Sequence, residues 1–154
     1  VGYPLDQEHY RKFKKCLGQS SLILYVADNA GEIVFDRILI EQMLKIKRLK
    51  IVFAVRARPI INDATLDDAI QVGLNKVAAV ISSGSEAPAT ILSQCSSEML
   101  SYCRAADLII SKGQGNYESL SDRNENIFFL FKVKCPVIAR DCGYKVNSFV
   151  LTSS

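Results

Sequence analysis

Several features that define specialised protein classes are missing from this sequence of 154 residues. No apolar run approaches the roughly 20 residues that cross a membrane, and no basic segment followed by an apolar one opens the chain as a signal peptide would. The five cysteines are odd in number and have no CxxC spacing, which favours reduced thiols over disulfides. These absences predict a cytoplasmic protein that has no membrane partner.

Charge and residue types argue against further classes of function. A net charge of only +3 gives no reason to expect a nucleic-acid partner, which would need a basic stripe. The single histidine, His9, lies in a polar segment, and no Ser-His-Asp or Cys-His pairing is visible. Neither a GxGxxG fingerprint nor a Walker A loop is present, so binding of dinucleotides and nucleoside triphosphates is not supported. With one histidine, a metal and carboxylates must carry the chemistry.

Short apolar runs alternate with amphipathic segments along the whole chain, which predicts an α/β fold. The runs are nearly continuous and rich in strand formers, as in a sheet that helices cover on both faces. We predict strands at 22–27, 49–55, 76–81, 107–110, 127–132 and 148–152, and helices at 6–17, 32–47, 65–72, 88–104, 117–120 and 136–143. The alternation indicates an open, mainly parallel, Rossmann-like sheet with right-handed crossovers. We expect one domain over residues 1–154.

Two turns that contain acidic and amide side chains follow predicted strands. The first turn, Asp28-Asn29-Ala30-Gly31-Glu32, follows the strand at 22–27, and the second reaches Asp63 after the strand at 49–55. Because neighbouring parallel strands end at the same edge of an open sheet, Asp28, Asn29 and Asp63 are expected to meet there. Two carboxylates and an amide carbonyl are hard oxygen donors, which suit Mg²⁺ or Mn²⁺. The sequence therefore predicts a divalent metal site.

Both turns also have a structural interpretation, because Asp and Asn before a helix are usually caps. Asn29, with Glu32 three residues later, fits an N-cap and N3 pair, but this interpretation leaves Asp28 without a task. At the second turn Thr65 already caps the following helix. Asp63 then has no evident structural task, which favours a functional role for it.

Two lysines are expected at the same edge of the sheet. Lys112 comes shortly after the apolar run at 108–110, and Lys134 lies at the equivalent end of the next run, with Lys132 as its rival. Exposed lysines are common, so a solvated surface position is the ordinary alternative to a role in binding an anion.

Small residues and arginines offer weaker signals. The loop that contains Ser83, Gly84 and Ser85 is either a plain turn or a segment whose backbone N–H groups approach a phosphate. Arg56 and Arg58 either clamp a substrate anion or solvate a loop. The sequence leaves these alternatives open.

Four segments, in order, resemble the motifs of one family. They are DNAGEIVFD at 28–36, RPIINDAT at 58–65, KGQGNYE at 112–118 and KCPVIA at 134–139. Together they resemble the damage-control phosphatase family, long catalogued as domain of unknown function eighty-nine, and in particular its stand-alone microbial branch. The resemblance extends from about Leu22 to Leu151, which is most of the chain.

The resemblance implies a metal-dependent phosphohydrolase that acts on small phosphate esters, such as sugar phosphates or damaged metabolite phosphates. The family's Asp-Asn pair and later Asp, which hold the metal, correspond to Asp28, Asn29 and Asp63. The lysine of its Lys-Gly motif, which binds phosphate, corresponds to Lys112. We therefore expect a divalent cofactor, Mg²⁺, Mn²⁺, Co²⁺ or Ni²⁺, and a small phosphorylated metabolite as partner.

The expected site combines metal binding with neutralisation of phosphate charge. Such electrostatic stabilisation is the main work of phosphoryl transfer. The nucleophile is either metal-bound water or a carboxylate, and Glu32 is a candidate base that could equally be a helix cap. We predict catalytic roles for Asp28, Asp63 and Lys112, and substrate contacts from Arg58, Ser83, Gly84, Ser85, Lys112, Asn116 and Lys134.

The same residues leave two rival functions open. A methyltransferase that uses S-adenosylmethionine, an activity described for a related branch, would need a glycine-rich loop after the first strand, where only Gly31 is found. A non-catalytic module that binds metal or phosphometabolites has no distinguishing sequence feature.

The chain begins with Val1, and only the helix at 6–17 precedes the first turn. We expect the C-terminal part of a longer protein or a short variant.

Overall fold

The protein is described by a computed structural model that covers residues 5–123 and 126–153. The strands are β1 (Leu22–Val26), β2 (Lys50–Val55), β3 (Ala79–Ser82), β4 (Leu108–Lys112), β5 (Ile127–Lys132) and β6 (Phe149–Ser153). The α-helices are α1 (Gln7–Gln19), α2 (Ile33–Ile46), α3 (Leu66–Gln71), α4 (Ser97–Ala105), α5 (Gln114–Leu120) and α6 (Pro136–Cys142). Across these ranges, no helix combines the length and apolar character that a membrane crossing requires.

The strands form one six-stranded sheet in the order β3-β2-β1-β4-β5-β6. All neighbours pair in parallel except β5 and β6, which are antiparallel. The chain builds outward from β1 to β3 on one side and then returns to place β4 on the other side of β1. The β1–β4 junction is thus a topological switch point, where ligand crevices form in open α/β sheets. The predicted open, mainly parallel α/β fold is confirmed.

Helices cover both faces of the sheet because successive strand side chains point in opposite directions. Along β1, Ile23 and Tyr25 enter one core, whereas Leu24 and Val26 enter the other. The first core is closed by residues of α1, α2 and α3, among them Phe13, Leu17, Ile33, Ile40 and Ala69. The second is closed by residues of α4, α5 and α6, among them Met99, Tyr117, Leu120 and Ile138. Burial on both faces explains why the strands read as continuous apolar runs.

Several predicted bounds differ from the observed ones, and two of these differences have a clear local cause. The helix predicted at 88–104 is confirmed only in its second half, because α4 begins at Ser97 and is preceded by a single 3-10 turn at Leu92–Gln94. Ser96 begins α4 by accepting a hydrogen bond from the Met99 N–H, and Thr90 is used in a buried polar network. The strand predicted at 76–81 begins only at Ala79, since Gly73 adopts a left-handed conformation, with φ 75°, and starts a 3-10 turn.

Candidate active site

The two predicted turns lie side by side at the carboxyl ends of β1 and β2. Their backbones are joined by hydrogen bonds from the Ala64 N–H to the Asp28 carbonyl and from the Ala30 N–H to the Asn62 carbonyl, each 2.8 Å long. Asn29 and Asp63 form an isolated antiparallel bridge there. The structure therefore brings Asp28, Asn29 and Asp63 together, and their role as metal ligands remains a prediction.

Asp28 presents its carboxylate to a cleft and lies directly against Gly113. A Cβ atom built on Gly113 would stand 2.2 Å from the Asp28 Cγ atom, so only glycine leaves room for this carboxylate. Among the described residues, no hydrogen bond ends on the carboxylate. Burial, together with repulsion from Asp63 and Glu32, raises the pKa of Asp28 to about 6. Asp28 is thus a carboxylate whose charge no hydrogen-bond donor stabilises. A bound cation would favour its ionised form.

Asn29 and Glu32 do not form the predicted capping pair. Helix α2 begins at Ile33, and neither residue's side chain makes a capping hydrogen bond to it. The Asn29 Oδ1 atom instead accepts the Gly31 N–H at 2.7 Å, which closes a tight local turn. The Glu32 carboxylate points toward the cleft and lies 3.2 Å from the Lys112 Nζ atom. Asn29 is therefore not the N-cap of α2, and Glu32 takes that position without a side-chain capping hydrogen bond.

Asp63 has a structural partner that sequence reasoning did not assign. Its Oδ2 atom accepts a hydrogen bond from the Arg56 Nε atom at 2.7 Å, and both side chains are almost fully buried. Thr65 caps α3 with Asp68 in a reciprocal capping box, as predicted. Arg56 is therefore neither a substrate clamp nor a solvated loop residue. In the described part of the chain the Asp63 Oδ1 atom accepts no hydrogen bond, so one oxygen stays available.

Lys112 is fixed by two carboxylates, Asp36 in α2 and Glu32 at the N-cap position just before it. Its Nζ atom lies 2.7 Å from Asp36 Oδ1 and 3.2 Å from Glu32 Oε2, and the Tyr25 hydroxyl also donates to Asp36 Oδ1 at 2.7 Å. Although burial acts in the opposite direction, attraction to Asp36 and Glu32 raises the pKa of Lys112. Burial also raises the pKa of Asp36, which Lys112 offsets only in part. Lys112 is therefore a positioned cation.

Asp36 was missed because sequence reasoning treated it only as part of a matched segment. One signal for it was present: Asp36 follows Glu32 by four residues within a predicted helix, so both carboxylates lie on one helix face. Which partner that face would meet could not be read from α2 alone.

The cleft has a volume of about 440 Å³ and a charged end beside an apolar wall. Asp28, Glu32 and Lys112 lie at the charged end, and Lys132 and Lys134 also line the cleft. Gln114 holds the rim in place, because its Oε1 atom accepts the Lys134 N–H at 2.7 Å. The apolar wall is formed by Leu5, Phe35, Leu130, Phe131, Phe149, Val150 and Leu151.

The remaining predicted substrate residues do not line this cleft. The N–H groups of Ser83, Gly84 and Ser85 already donate to oxygen atoms within the chain, at 2.7, 3.1 and 3.3 Å. Asn116 is fully buried, with both ends of its amide hydrogen-bonded. Arg58 is exposed and pairs with Glu86 at 2.9 Å. The structure thus groups Asp28, Lys112 and Lys134 in one cleft and leaves these residues outside it.

The donor set around Asp28 fits a hard divalent cation. The Asp28 carboxylate, the uncommitted Asp63 oxygen and the Asn29 amide oxygen are the kind of ligands that such ions take. In the ranges that the structure covers, no group of three or more His, Cys, Asp or Glu side chains is placed to hold a metal. The candidate site therefore depends on the amide oxygen as well as the two acids, with water to complete the shell.

Because the pKa of Asp28 is raised, removing its charge should stabilise the folded chain, and the size of this effect should depend on pH. The pKa in the folded chain is about 6, above the ordinary value of 3.8, so folding disfavours the ionised form. This group contributes stability below its unfolded pKa and loses it as the pH rises through the folded pKa. We expect Asp28→Asn to raise the melting temperature of the metal-free protein at about pH 8, with a much smaller difference near pH 4. Scanning calorimetry in excess chelator measures both values.

Asp107→Asn is a control for which the expected change in melting temperature has the opposite sign. Its carboxylate accepts the N–H groups of Leu22 and Ser21, which lower the pKa of Asp107. Asp107→Asn should therefore lower the melting temperature under the same neutral conditions. If Asp28→Asn also lowered it there, the Asp28 carboxylate would have a stabilising partner in the metal-free fold, contrary to this description.

The comparisons with known proteins all indicate the same family. The model of the damage-control phosphatase ARMT1-like domain matches residues 3–150. A damage-control phosphatase from Pyrococcus horikoshii is 47% identical over 120 residues, which are 77% of this chain and 42% of that protein. A damage-control phosphatase from Archaeoglobus fulgidus is 36% identical over 166 residues, with 97% of this chain and 57% of the relative covered.

A solved structure shares the fold. The crystal structure of a DUF89 family protein from Pyrococcus horikoshii superposes with a TM-score of 0.91 at 39% identity, over 98% of this chain and 52% of that one. The chain therefore spans about half the length of the relatives that it matches. Since the family model covers nearly the whole chain and the folds agree, this chain belongs to the damage-control phosphatase ARMT1-like domain family.

Proposed function

We propose that this chain hydrolyses phosphate monoesters of small cytoplasmic metabolites with the help of a divalent metal. The observation that carries the proposal is the Asp28 carboxylate, which faces a cleft without a hydrogen-bond donor and shares that cleft with Lys112. Two relatives named damage-control phosphatase support the reaction class. Metabolites such as sugar phosphates or damaged cofactor phosphates are of a size that suits a cleft of about 440 Å³.

Asp28, Asn29 and Asp63 would hold the metal through oxygen atoms. When bound, the metal supplies Lewis-acid polarisation of the phosphoryl group and a template for its orientation. The Asp28 and Asp63 carboxylates would also supply negative charge for the cation, with the charge of Asp63 shared with the buried Arg56. Without a cation the ionised form of Asp28 is disfavoured, because burial and then repulsion from Asp63 raise the pKa of Asp28 to about 6.

Lys112 is proposed to bind and stabilise the phosphoryl oxygens. An ammonium group has three N–H donors, and Asp36 and Glu32 engage two of them. One donor is left for a phosphate oxygen, and the two carboxylates restrict the position of the Nζ atom. A donor that is fixed before the reaction stabilises developing charge at little reorganisation cost. Lys134, at the rim of the same cleft, adds a second positive charge for the incoming anion.

Glu32 is proposed as the group that takes a proton from the attacking water. Its carboxylate borders the cleft, is about half exposed, and contacts Lys112 at only 3.2 Å. Its side chain makes no capping hydrogen bond that would hold it elsewhere. A carboxylate near a bound phosphate is a suitable general base if its oxygen reaches the water within hydrogen-bond distance.

The proposal is tested by measuring phosphate release from a panel of sugar phosphates and damaged cofactor phosphates. We expect no release in excess chelator, recovery with Mg²⁺, Mn²⁺, Co²⁺ or Ni²⁺, and a rise in melting temperature with the same ions, because a ligand of the folded state stabilises it. Release that persists in chelator would contradict the metal. A metal-dependent melting shift with no release from any ester would favour the non-catalytic binding module, and a shift caused by S-adenosylmethionine would favour the methyltransferase.

A further inference from the structure

A buried arginine is the centre of a polar network behind the candidate metal site. Arg56 is 3% exposed, and all three of its guanidinium nitrogens donate to side-chain oxygens. Nε donates to Asp63 Oδ2 at 2.7 Å, Nη1 to Thr90 Oγ1 at 3.1 Å and Nη2 to Asn116 Oδ1 at 3.0 Å. A planar guanidinium with three fixed partners has one orientation. The Asp63 carboxylate is therefore held in one orientation too.

Asn116 extends this network to the other two segments of the site. Its Nδ2 atom donates to the Ala27 carbonyl at 3.1 Å and to the Lys112 carbonyl at 2.7 Å. Ala27 immediately precedes Asp28, and Lys112 immediately precedes Gly113, against which the Asp28 carboxylate rests. One buried amide thus ties the ends of β1 and β4 together across the switch point.

We propose that Arg56 and Asn116 are positioning residues of the candidate metal site, an inference that rests on the proposed function. Arg56 occupies the Oδ2 atom of Asp63, so the Oδ1 atom would be the one available to a metal. Asn116 fixes the main chain on either side of Asp28. Both side chains are buried and neither lines the cleft, so this proposal gives Asn116 a positioning role in place of the substrate contact predicted from the sequence.

Arg56→Lys distinguishes the effect of the positive charge at position 56 from the effect of the planar guanidinium. Arg56→Lys keeps the positive charge beside Asp63 but has a compact ammonium on a flexible stem, which cannot reproduce the planar fork. Second-sphere partners of a metal ligand typically change affinity by about 10- to 100-fold when removed. We therefore expect Arg56→Lys to fold and to weaken Mn²⁺ binding by about that factor. Arg37→Lys is the control for loss of a guanidinium elsewhere, since Arg37 donates to Glu41 and to the Val72 carbonyl and does not line the cleft.

The deciding measurement is the Mn²⁺ dissociation constant from calorimetry, taken for the wild-type chain, Arg56→Lys, Asp63→Asn and the double variant. If Arg56 acts through Asp63, the loss caused by Arg56→Lys should be much smaller once Asp63 is already Asn, whereas independent effects would add. Additive losses, or a wild-type dissociation constant for Arg56→Lys, would overturn the inference. If the wild-type chain bound no Mn²⁺, the metal site of the proposed function would fall, and this inference with it.

Thr90→Val keeps the inference testable if Arg56→Lys does not fold. Valine has nearly the shape of threonine but removes the contacts to Arg56 Nη1 and to Asn116 Oδ1. Loss of hydrogen bonding of this size should weaken Mn²⁺ binding by about three- to tenfold. An unchanged dissociation constant in Thr90→Val would show that the network does not position the ligands.

Discussion

Gly113→Ala is expected to abolish metal binding and phosphate release. The added Cβ would stand 2.2 Å from Asp28 Cγ and Oδ2, closer than any real contact, so the carboxylate would have to leave its position. Gly113 also has φ 85° and ψ 153°, a backbone region that is essentially restricted to glycine and costs about 1–3 kcal/mol for other residues. Calorimetric titration with Mn²⁺ and the phosphate-release assay measure the two losses.

Gly143→Ala separates backbone strain from displacement of Asp28. Gly143 also has a positive φ, 78°, but a Cβ there would meet nothing within 4 Å. This variant should lose stability by about 1–2 kcal/mol and still bind Mn²⁺ with the wild-type affinity. If Gly113→Ala bound Mn²⁺ as tightly as Gly143→Ala, the Asp28 carboxylate would not be a ligand in the position described.

Lys112→Ala should reduce kcat/KM by about 100-fold or more, the cost of losing one preorganised donor, while Mn²⁺ affinity changes little. Lys112 neutralises phosphoryl charge in the proposed mechanism, and it is not among the metal ligands. The same change leaves the buried Asp36 carboxylate without its cation, which should destabilise the fold by about 3 kcal/mol. Steady-state kinetics, calorimetry and thermal melting separate these three effects.

Asp36→Asn in the Lys112→Ala background distinguishes a loss of catalytic activity from a loss of stability. Asparagine removes the uncompensated charge and still accepts the Tyr25 hydroxyl, which donates to Asp36 at 2.7 Å. The double variant should regain much of the melting temperature but no activity. Lys76→Ala, at an exposed position away from the cleft, is the control for loss of one positive charge. A double variant with wild-type kcat/KM would show that Lys112 acts only by stabilising α2 against the sheet.

The candidate site contains groups that the metal-free fold does not favour. Asp28 carries a raised pKa, and the Asp36 Oδ2 atom is buried without a hydrogen-bond partner among the described residues. Functional sites commonly retain such unfavourable arrangements and are stabilised by the surrounding structure. The two cores on either face of the sheet supply that support here, because the site residues extend from the ends of buried strands.

The sequence by itself determined the α/β class, most of the strands and the two turns that carry Asp28, Asn29 and Asp63. These are consequences of local patterns. Continuous apolar runs are characteristic of strands buried on both faces, and parallel strands that lie next to each other end at a common edge. Lys112 was also found in this way, since it lies directly at the end of β4. The capping role of Thr65 needed only its own segment.

The tertiary structure alone decided the partners of the polar side chains. Arg56 meets Asn116 across 60 positions of sequence and Lys112 meets Asp36 across 76, and no local pattern specifies such distant contacts. The same holds for the Ser83–Ser85 loop, whose N–H groups could serve a phosphate until the fold shows that they bond within the chain. Strand order settled which ends meet, because β4 returns to the free side of β1 and brings Gly113 against Asp28. Burial then required each of these polar groups to find a partner.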